Sequence, residues 1–435
     1  MNRILIGAGC IALLLISWIV AISAKSPVEK QLELMRVAAE MTKDGVYIRA
    51  VPLLEEAAGY STKYTVIAEA ELKKVYLALI DQKGYRRKYT GLLEKQMDRG
   101  DAHPAFFIEA AEYYLSVSRV SDALAVLRAG IEKTGNEELI EIYEKNRYAY
   151  QMNRTSYTYV TAIYMDTAQV QSDGLWGLAG SDGILMIPCE YDKVSTFSAG
   201  RAIVMKGADV YAVDGDNNRV ALSHGDIADF GNYADDRIPL LIRGNWQRAT
   251  GEFVLGTTAF EELGMYSGGY AAAKVDGKWG VIDLSLSWLI PAEYDGIIQD
   301  ELGRCYARRA VFVRQNGVVS LFVGGRSSGE AYEDARPFTD EGFAAVRRNG
   351  KWGFIDVNGT VVIDFLFDDA LSFGQHLAAV KVGECWGYIN MAGDIVIEPE
   401  FLEAKSFSDG SAPVLTQRGW QFITLIEYKK GAGLL

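Results

Sequence analysis

The sequence predicts a mainly β repeat domain, preceded by an array of α-helical hairpins and by one N-terminal transmembrane helix. Three observations predict this. A pattern recurs with a period of about 34 residues over the last two-thirds of the chain, apolar residues follow helical spacing before it, and an unbroken apolar run opens the chain. We therefore divide the 435 residues into a signal anchor (1–27), a helical domain (28–152) and an all-β repeat domain (153–435).

The apolar run from Ile4 to Ala24 lies between Arg3 and Lys25. As a helix it would be about 31 Å long, which matches a bilayer core of about 30 Å. A cleaved signal peptide is the alternative, because residues 21–23 offer the small side chains of a cleavage site. The run exceeds the usual apolar part of a signal peptide, so it favours a retained single-pass anchor in the cell membrane with the bulk of the chain outside the cytoplasm. Secretion after cleavage stays the alternative.

The next part of the chain, from Val28 to about Gln151, has the apolar spacing of helices. Pro104 stands where a helix begins, as proline often does. The pattern predicts three helical hairpins and a capping helix: 31–43 with 46–58, 65–82 with 85–99, 105–118 with 121–133, and then 136–149. Gly45-Val46-Tyr47 and Gly84-Tyr85 resemble tetratricopeptide helix pairs, although the early Trp and the terminal Pro of that repeat are missing. A generic array of helical hairpins is the alternative.

The repeat itself is clearest where Lys351-Trp352-Gly353-Phe354-Ile355-Asp356 returns as Cys385-Trp386-Gly387-Tyr388-Ile389-Asn390. After each Trp, a Gly, an Ile, an aromatic residue, a Phe and a Val follow at equal offsets. The aromatic position is occupied by Phe367 and Phe401 in these copies, and by Tyr191 and Tyr294 in two earlier ones. We count seven copies, which begin at Trp176, Tyr211, Trp246, Trp279, Val318, Trp352 and Trp386, and a truncated one at Trp420.

These residues resemble the WG repeat, also called the KWG repeat. The signature is matched by Gly277-Lys278-Trp279-Gly280-Val281-Ile282-Asp283, followed by Ile290-Pro291-Ala292-Glu293-Tyr294-Asp295. The resemblance extends from about Asp173 to the C-terminus and is weaker in the copies at Tyr211, Trp246 and Val318. It implies a bacterial repeat module, often joined to other modules, without a general activity that could be assigned to particular residues.

Each copy predicts about three short strands, because its aromatic and β-branched segments are separated by Gly-containing turns. Such a unit is too small to bury its own apolar face, so neighbouring units must stack. We predict that the following residues form the shared core: Trp176, Gly177, Tyr191, Trp246, Trp279, Gly280, Tyr294, Trp352, Gly353, Phe367, Trp386, Gly387, Phe401 and Trp420. A propeller-like ring, closed by pairing of the Trp420 copy with the first repeat, is favoured over an open β-solenoid.

Composition and charge exclude some classes of function. The formal net charge is −13 and the pI is about 4.9. This opposes nucleic-acid binding, which needs a basic surface. The four cysteines, at 10, 189, 305 and 385, show no short spacing and predict no disulfide framework.

Several motifs could indicate chemistry, and each is better explained by the repeat. Gly325-Arg326-Ser327-Ser328-Gly329 has the form of a hydrolase nucleophile elbow, but its first Gly falls on a turn where the repeat already requires one. Asp214, Asp216 and Asn218 alternate as in a calcium loop, although the Gly and Glu of that loop are missing. Acid pairs such as Glu190 with Asp192, and Asp368 with Asp369, recur at equivalent positions and indicate hydrogen bonds at strand ends.

We therefore expect no catalytic residue, no cofactor and no metal site, since His103, His224 and His376 also lack partners at ligand spacing. The sequence favours a non-catalytic, membrane-anchored binding or scaffold protein. Its partner would be a protein or a cell-wall polymer, with the membrane contacted through residues 4–24. The alternatives are an envelope glycan hydrolase with two acids in a central channel, and a structural spacer that associates with itself.

Overall fold

The computed structural model describes residues 26–222, 226–307, 309–429 and 433–434. The contacts divide the chain into two compact units, with the boundary between Glu144 and Lys145. No helix within the described residues is long and apolar enough to span a membrane. The anchor predicted for residues 4–24 lies outside the described residues.

The first unit is α-helical, as predicted. Its helices are α1 (Pro27–Lys43), α2 (Tyr47–Ala58), α3 (Thr65–Ala78), α4 (Tyr85–Met97), α5 (Pro104–Ser116), α6 (Val120–Thr134) and α7 (Glu137–Asn146). Ser26 begins α1 with a reciprocal cap, because its hydroxyl accepts the Glu29 N–H while the Glu29 carboxylate accepts the Ser26 N–H. Pro104 occupies the first turn of α5, as its missing N–H allows. Leucines from successive helices form the apolar interior: Leu54, Leu72, Leu93, Leu124, Leu127 and Leu139.

The second unit contains eight four-stranded antiparallel sheets, which we number as blades. Blade 1 consists of β2 (Tyr159–Val160), β3 (Thr167–Ser172), β4 (Leu175–Gly180) and β5 (Leu185–Tyr191). Blade 2 consists of β6 (Lys193–Val194), β7 (Ala202–Lys206), β8 (Asp209–Val213) and β9 (Arg219–Ala221). Blade 3 consists of β10 (Ile227–Phe230), β11 (Arg237–Ile242), β12 (Asn245–Thr250) and β13 (Leu255–Phe260). Blade 4 consists of β14 (Glu262–Leu263), β15 (Tyr270–Val275), β16 (Lys278–Asp283) and β17 (Trp288–Tyr294).

The later blades repeat this order. Blade 5 consists of β18 (Gly296–Ile297), β19 (Ala310–Gln315), β20 (Val318–Val323) and β21 (Arg326–Tyr332). Blade 6 consists of β22 (Asp334–Ala335), β23 (Phe343–Arg348), β24 (Lys351–Asp356) and β25 (Val361–Phe367). Blade 7 consists of β26 (Asp369–Ala370), β27 (Ala378–Val382), β28 (Cys385–Ile389) and β29 (Ile395–Phe401). Blade 8 consists of β30 (Glu403–Ala404), β31 (Ser411–Thr416), β32 (Gly419–Leu425) and β1 (Tyr150–Met152), and a hairpin of β33 (Tyr428–Lys429) and β34 (Gly433–Leu434) follows it.

The sheets form a closed ring, because eight apolar clusters each join one blade to the next. Leu178 of blade 1 shares a cluster with Val204 of blade 2, and the pattern continues around to blade 8. There Trp420 and Phe422 pack with Val160 of blade 1. The fold is an eight-bladed β-propeller, so the ring predicted from the sequence is confirmed and the open solenoid is excluded.

The ring is closed by β1, which lies outside the repeats in sequence. Tyr150 pairs with Leu425 and Met152 with Ile423, so the outer strand of blade 8 comes from the N-terminal side of blade 1. We predicted residues 150–152 as part of the helical domain, because a segment of three residues shows no period. The truncated copy at Trp420 does pair toward the first repeat, through a bridge between Tyr157 and Trp420.

The number of strands in each repeat differs from our prediction. We predicted three, and each blade has four. The unpredicted strand is the innermost one, which is only two residues long in seven of the eight blades. A two-residue strand cannot show an alternating pattern, which explains why it was missed.

Candidate functional site

The inner strands of the blades surround a central channel, and blade 5 sends an insertion into it. The loop from β18 to β19 runs from 298 to 309, whereas the equivalent loops of blades 6 and 7 run only from 336 to 342 and from 371 to 377. The sequence shows this insertion as a slip in the repeat around Gln299 to Arg304. We call residues 298–307 the plug.

The plug begins with a turn that holds its own shape. Asp300 Oδ1 accepts the N–H groups of Leu302 and Arg304, at 3.0 and 2.9 Å, and Asp300 Oδ2 accepts Arg304 Nε at 2.6 Å. Leu302 is buried against Met265 and Ala234 in an apolar cluster within the channel. The polar groups of this turn bond one another, and Leu302 at its tip is covered by apolar side chains. The plug is therefore an integral part of the propeller.

Backbone and side-chain bonds then connect the plug with the two preceding blades. Asn232 Nδ2 of blade 3 donates to the Leu302 carbonyl at 2.9 Å, and Met265 N of blade 4 donates to the Gly303 carbonyl at 3.1 Å. Gly264 leaves room for this approach, since a Cβ there would lie 2.9 Å from the Gly303 oxygen. The blade 5 insertion thus contacts blades 3 and 4 directly.

Glu301 of the plug bonds to residues of blades 1 and 8. Its carboxylate accepts the Ala162 N–H at 2.6 Å, the Tyr159 hydroxyl at 3.1 Å and the Lys405 ammonium at 2.9 Å. Lys405 is 8 % exposed and also lies 3.2 Å from Glu403. Burial alone would lower the pKa of Lys405, but the Glu301 carboxylate opposes this and leaves the pKa above its ordinary value. Lys405 therefore carries its charge at neutral pH, inside the ring.

The plug divides the channel into two cavities, since Gln299, Asp300 and Glu301 line both. The larger, about 810 Å³, is bounded by the plug and by the loops that join the first and second strands of blades 1, 4, 6, 7 and 8. We call it the loop cavity. Its volume lies in the range of small-ligand sites, about 300 to 1,000 Å³.

The loop cavity has charged walls of both signs and a buried aromatic base. Arg304, Arg309 and Arg336 line it together with Asp340 and Glu341. Glu341 Oε2 lies 2.6 Å from His376 Nδ1. Buried rings lie beneath these charges and are contributed by three consecutive blades: Phe338, Phe373 and Phe407.

The smaller cavity, about 490 Å³, lies on the other side of the plug and is lined by residues of blades 1 to 4. Trp246 and Trp279 are part of its wall, so we call it the indole cavity. Lys193 and Glu262 also line it. Each is paired, Lys193 with Asp229 at 2.5 Å and Glu262 with Lys274 at 2.8 Å.

The predicted core residues have different environments in different blades. Trp352, Trp386 and Trp420 are 4, 8 and 2 % exposed, whereas Trp176, Trp246 and Trp279 are only half-buried. At the aromatic position Tyr191, Phe367 and Phe401 are buried and Tyr294 is half-buried. The glycines at 177, 280, 353 and 387 are buried between strands.

The acids that the sequence singled out form turns of the blades. Asp214 Oδ1 accepts the N–H groups of Asp216 and Asn218, and Asp356 Oδ1 accepts those of Asn358 and Thr360 in the same way. At the next strand end, Asp368 accepts the Gly383 N–H at 2.8 Å. The pKa of Asp214 is lowered, first by the Asn218 amide and then by the N–H groups of this turn. These carboxylates accept backbone N–H groups and so stabilise the turns of the blades.

The remaining motifs have similar explanations. Gly325 has a φ of +81° in the hairpin turn between β20 and β21, so no helix follows the serines as a nucleophile elbow requires. His224 lies outside the described residues. Within the described part of the chain, no cluster of three or more His, Cys, Asp or Glu could hold a metal ion.

Sequence reasoning named Trp246 and Trp279 only as core residues, and it missed the charged residues that line the two cavities. Arg309, Arg336 and Lys405 occupy loop positions that vary between copies, and only the slip near Gln299 signalled the plug. Glu301 and Lys405 lie far apart in the chain, so their contact follows only from the closed ring.

Comparison with known proteins agrees with this fold. A family model described as WG containing repeat matches residues 176–208, 250–279, 279–299, 331–352, 352–384 and 386–419. No curated protein sequence matches the chain.

Among solved structures, the chain is similar to the β-propeller domain of Cps50 (Swd1) from Myceliophteria thermophila, with 12 % identity, a TM-score of 0.33, and coverage of 53 % of this chain and 94 % of that one. It is also similar to the WD40 domain of Pan2 from Neurospora crassa, with 9 % identity, a TM-score of 0.35, and coverage of 63 % and 90 %. A third match is YCF48 from Cyanidioschyzon merolae, with 13 % identity, a TM-score of 0.35, and coverage of 63 % and 98 %. These scores are too low to carry any argument about ligands. The matched repeats, each of which runs from the outer strands of one blade into the next blade, show that the chain is a WG-repeat protein.

Proposed function

We propose that this chain is a non-catalytic binding protein, anchored in the cell membrane by residues 4–24, whose propeller holds a peptide segment of an envelope protein in the loop cavity. The observation that carries the proposal is the cavity itself. It is a concavity of about 810 Å³ in which three consecutive blades supply buried aromatic rings and the plug closes one wall. Concave sites with an apolar base and a few polar groups are typical of ligand binding.

The charges of the loop cavity favour a peptide over a polyanion. Arg304 of the plug and Arg309, just before β19, line the cavity, while Asp340 and Glu341 line it from blade 6. A polyanion would be repelled by the acidic residues, and a polycation by the arginines. A peptide backbone offers both donors and acceptors, and its side chains suit the aromatic base.

Three carboxyl groups at strand ends of the blades serve the fold and not acid catalysis. Asp214, Asp295 and Asp368 have pKa values below the ordinary range, chiefly because of the Asn218 amide, the Lys278 ammonium and the Lys351 ammonium respectively. A glycan hydrolase requires a general acid whose pKa is raised. These acids support the fold of the blades instead.

Binding is tested with the full-length chain in detergent micelles and an array of overlapping peptides from envelope proteins. We expect particular peptides to be retained, and Arg309→Glu to weaken them by about tenfold because it reverses a charge in the cavity wall. Arg326→Glu is the matched control, since Arg326 is exposed on β21 and lines neither cavity. Retention of no peptide, or equal loss in both variants, would contradict the proposal.

The anchor is tested separately in cells. We expect the protein to sediment with membranes and the propeller to be cleaved by protease added to spheroplasts. Removal of residues 1–25 should release it from the membrane fraction. A full-length protein that is recovered in the soluble fraction, or protected from external protease, would contradict the anchor or its orientation.

A further inference from the structure

The indole cavity differs from the rest of the channel in having two half-buried tryptophans, Trp246 and Trp279, in its wall. In blades 6 and 8 the residue just after the innermost strand covers the indole of the same blade. Arg336 Cζ lies 4.4 Å from the centre of the Trp352 ring, and Lys405 Nζ lies 5.1 Å from that of Trp420. Leu371 packs in the cluster that contains Trp386 in blade 7. Covered in this way, these three indoles are buried.

Blades 3 and 4 have glycine at this covering position. Gly231 follows β10 and Gly264 follows β14, and both line the indole cavity. Trp246 and Trp279 are half-buried and line one shared cavity from two adjacent blades, and Lys274 Nζ lies 5.8 Å from the centre of the Trp279 ring. Neither indole N–H donates a hydrogen bond within the part of the chain that the structure describes. The cavity wall therefore contains two partly accessible indoles whose N–H groups are not used in hydrogen bonds by the described residues.

The plug closes the base of this cavity. Gln299, Leu302 and Gly303 line it, so it ends at the plug and does not continue as a tunnel. Phe230 also borders the cavity, but its side chain is fully buried and Lys193 Nζ lies 5.2 Å from its ring centre. The ligand must enter from the side opposite the loop cavity and can insert only a compact group.

The charges at the indole cavity are balanced. Lys193 and Glu262 each have an opposite charge within 3 Å, Asp229 and Lys274. Neither an anion nor a cation would meet an uncompensated partner. A neutral ligand with one apolar face and polar edges would stack on an indole, while its edges reach the indole N–H groups and the paired charges.

We propose that the indole cavity is a carbohydrate site that binds one uncharged pyranose ring of a glycan. A pyranose has a face of C–H groups for stacking and a rim of hydroxyls for hydrogen bonds. A cavity of about 490 Å³ accommodates one ring with its substituents. The site does not depend on the peptide proposed for the loop cavity, because the plug separates the two.

The experiment titrates the full-length chain with N,N′-diacetylchitobiose, a neutral disaccharide, by calorimetry and tryptophan fluorescence. Saturable binding with a dissociation constant near about 1 mM is expected for one stacked ring. Trp246→Phe and Trp279→Phe keep a ring in the core but reduce the stacking face and remove the N–H. Each should weaken binding by about tenfold or more.

Trp176→Phe is the matched control, because this indole is also half-buried but lines neither cavity. Equal melting temperatures of the three variants would establish that folding is intact. Absence of saturable sugar binding overturns the proposal, as does an equal loss in Trp176→Phe. Binding of tetramethylammonium or of a phenylalanine amide in place of the sugar would also overturn it, since the site would then recognise a cation or an aromatic side chain. Peptide binding measured in parallel with Arg309→Glu reports on the loop cavity alone.

Discussion

The glycine after each repeat tryptophan is explained by a bulge in the neighbouring strand. In blade 7, Trp386 pairs with Phe401 but Tyr388 pairs with Ile397, so the outer strand has extra residues opposite Gly387. A Cβ at Gly387 would lie 2.5 Å from the Ile397 carbonyl oxygen. Gly177, Gly280 and Gly353 face the same obstruction, at 2.4, 2.4 and 2.8 Å from a backbone oxygen. Tryptophan and glycine recur together because one packs between blades while the other admits the bulge.

Gly387→Ala tests this explanation. We expect a loss of about 3 kcal/mol in the free energy of unfolding, because the obstructing atom belongs to the backbone and cannot rotate away. The measurement is urea denaturation followed by circular dichroism. Gly296→Ala is the control, since its Cβ would make an ordinary contact of 3.6 Å with Arg314. A similar loss in both variants would show that the bulge does not require glycine.

Acidic residues on the blades make the ring sensitive to low pH. Lys206 lowers the pKa of Glu190 to about 2, with further help from Asn217 and Arg219. A carboxyl whose folded pKa lies below its unfolded value stabilises the protein above the unfolded pKa, and this contribution disappears as the pH falls toward the folded pKa. Glu190 should therefore contribute at pH 6 and lose its contribution between about pH 4.5 and pH 2.

Glu190→Gln should lower the free energy of unfolding by about 1 kcal/mol at pH 6, a value reduced to allow for screening of this partly exposed group. The difference from the wild type should shrink as the pH falls to about 3. Urea midpoints at several pH values measure it. Glu252→Gln serves as the control, because Glu252 is exposed and forms no ion pair within the described residues. A difference that grows on acidification would contradict the assignment.

At the scale of elements, the sequence predicted the helices and strands that are long enough to show a periodic pattern of apolar residues. The helices were predicted to within a few residues at most ends, because apolar spacing and turn glycines such as Gly84 are local signals. The repeat strands through Trp352 and Trp386 were predicted for the same reason. The inner strands and β1 were missed, since strands of two or three residues acquire their pairing only from the assembled ring.

Ring closure at blade 8 depends on Asn153, which follows β1. Its Oδ1 accepts the Phe422 N–H at 3.0 Å and its Nδ2 donates to the Asp182 carbonyl at 2.9 Å. One side chain thus joins blade 8 to blade 1. This role is invisible in the sequence because Asn153 belongs to no repeat.

Asn153→Ala should lower the free energy of unfolding by about 2 kcal/mol, since the Phe422 N–H would be left buried without its acceptor. Asn358→Ala should cost less than about 0.5 kcal/mol, because the Asn358 side chain is exposed and bonds only its neighbour Asp356. Thermal unfolding of both variants checks the difference. If Asn153→Ala has the same melting temperature as the wild type, the Asn153 side chain does not contribute to ring closure.

At the scale of the whole molecule, the plug makes two sites out of one channel. An insertion in a single blade breaks the equivalence of the repeats, and it was visible in the sequence only as a slip near Gln299. Its destination could not be read from the sequence, because Glu301 meets Lys405 only after eight blades have closed. The two cavities differ in volume and in lining residues because of this one loop and the side chains that face it.

The ion pair of Glu301 and Lys405 should hold the plug. Lys405→Met should lower the free energy of unfolding by about 2 kcal/mol at pH 7, because the Glu301 carboxylate would lose its cation in a largely buried position. The double variant Glu301→Gln with Lys405→Met should recover part of this loss, since no unpaired charge remains. Lys351→Met, at the exposed pair with Asp368, should cost less than about 0.5 kcal/mol.

The same variant predicts a dependence on alkaline pH. A lysine whose folded pKa is raised stabilises the protein fully below its unfolded pKa of about 10.4, and the contribution is lost as the pH rises through the folded pKa. The gap between wild type and Lys405→Met should therefore be constant from about pH 7 to pH 9 and narrow above about pH 10.5. Urea midpoints across this range measure the gap. A gap that narrows already near neutral pH would mean that Lys405 is neutral in the folded ring, and the plug would then have to be held by the bonds from Asn232, Met265, Ala162 and Tyr159.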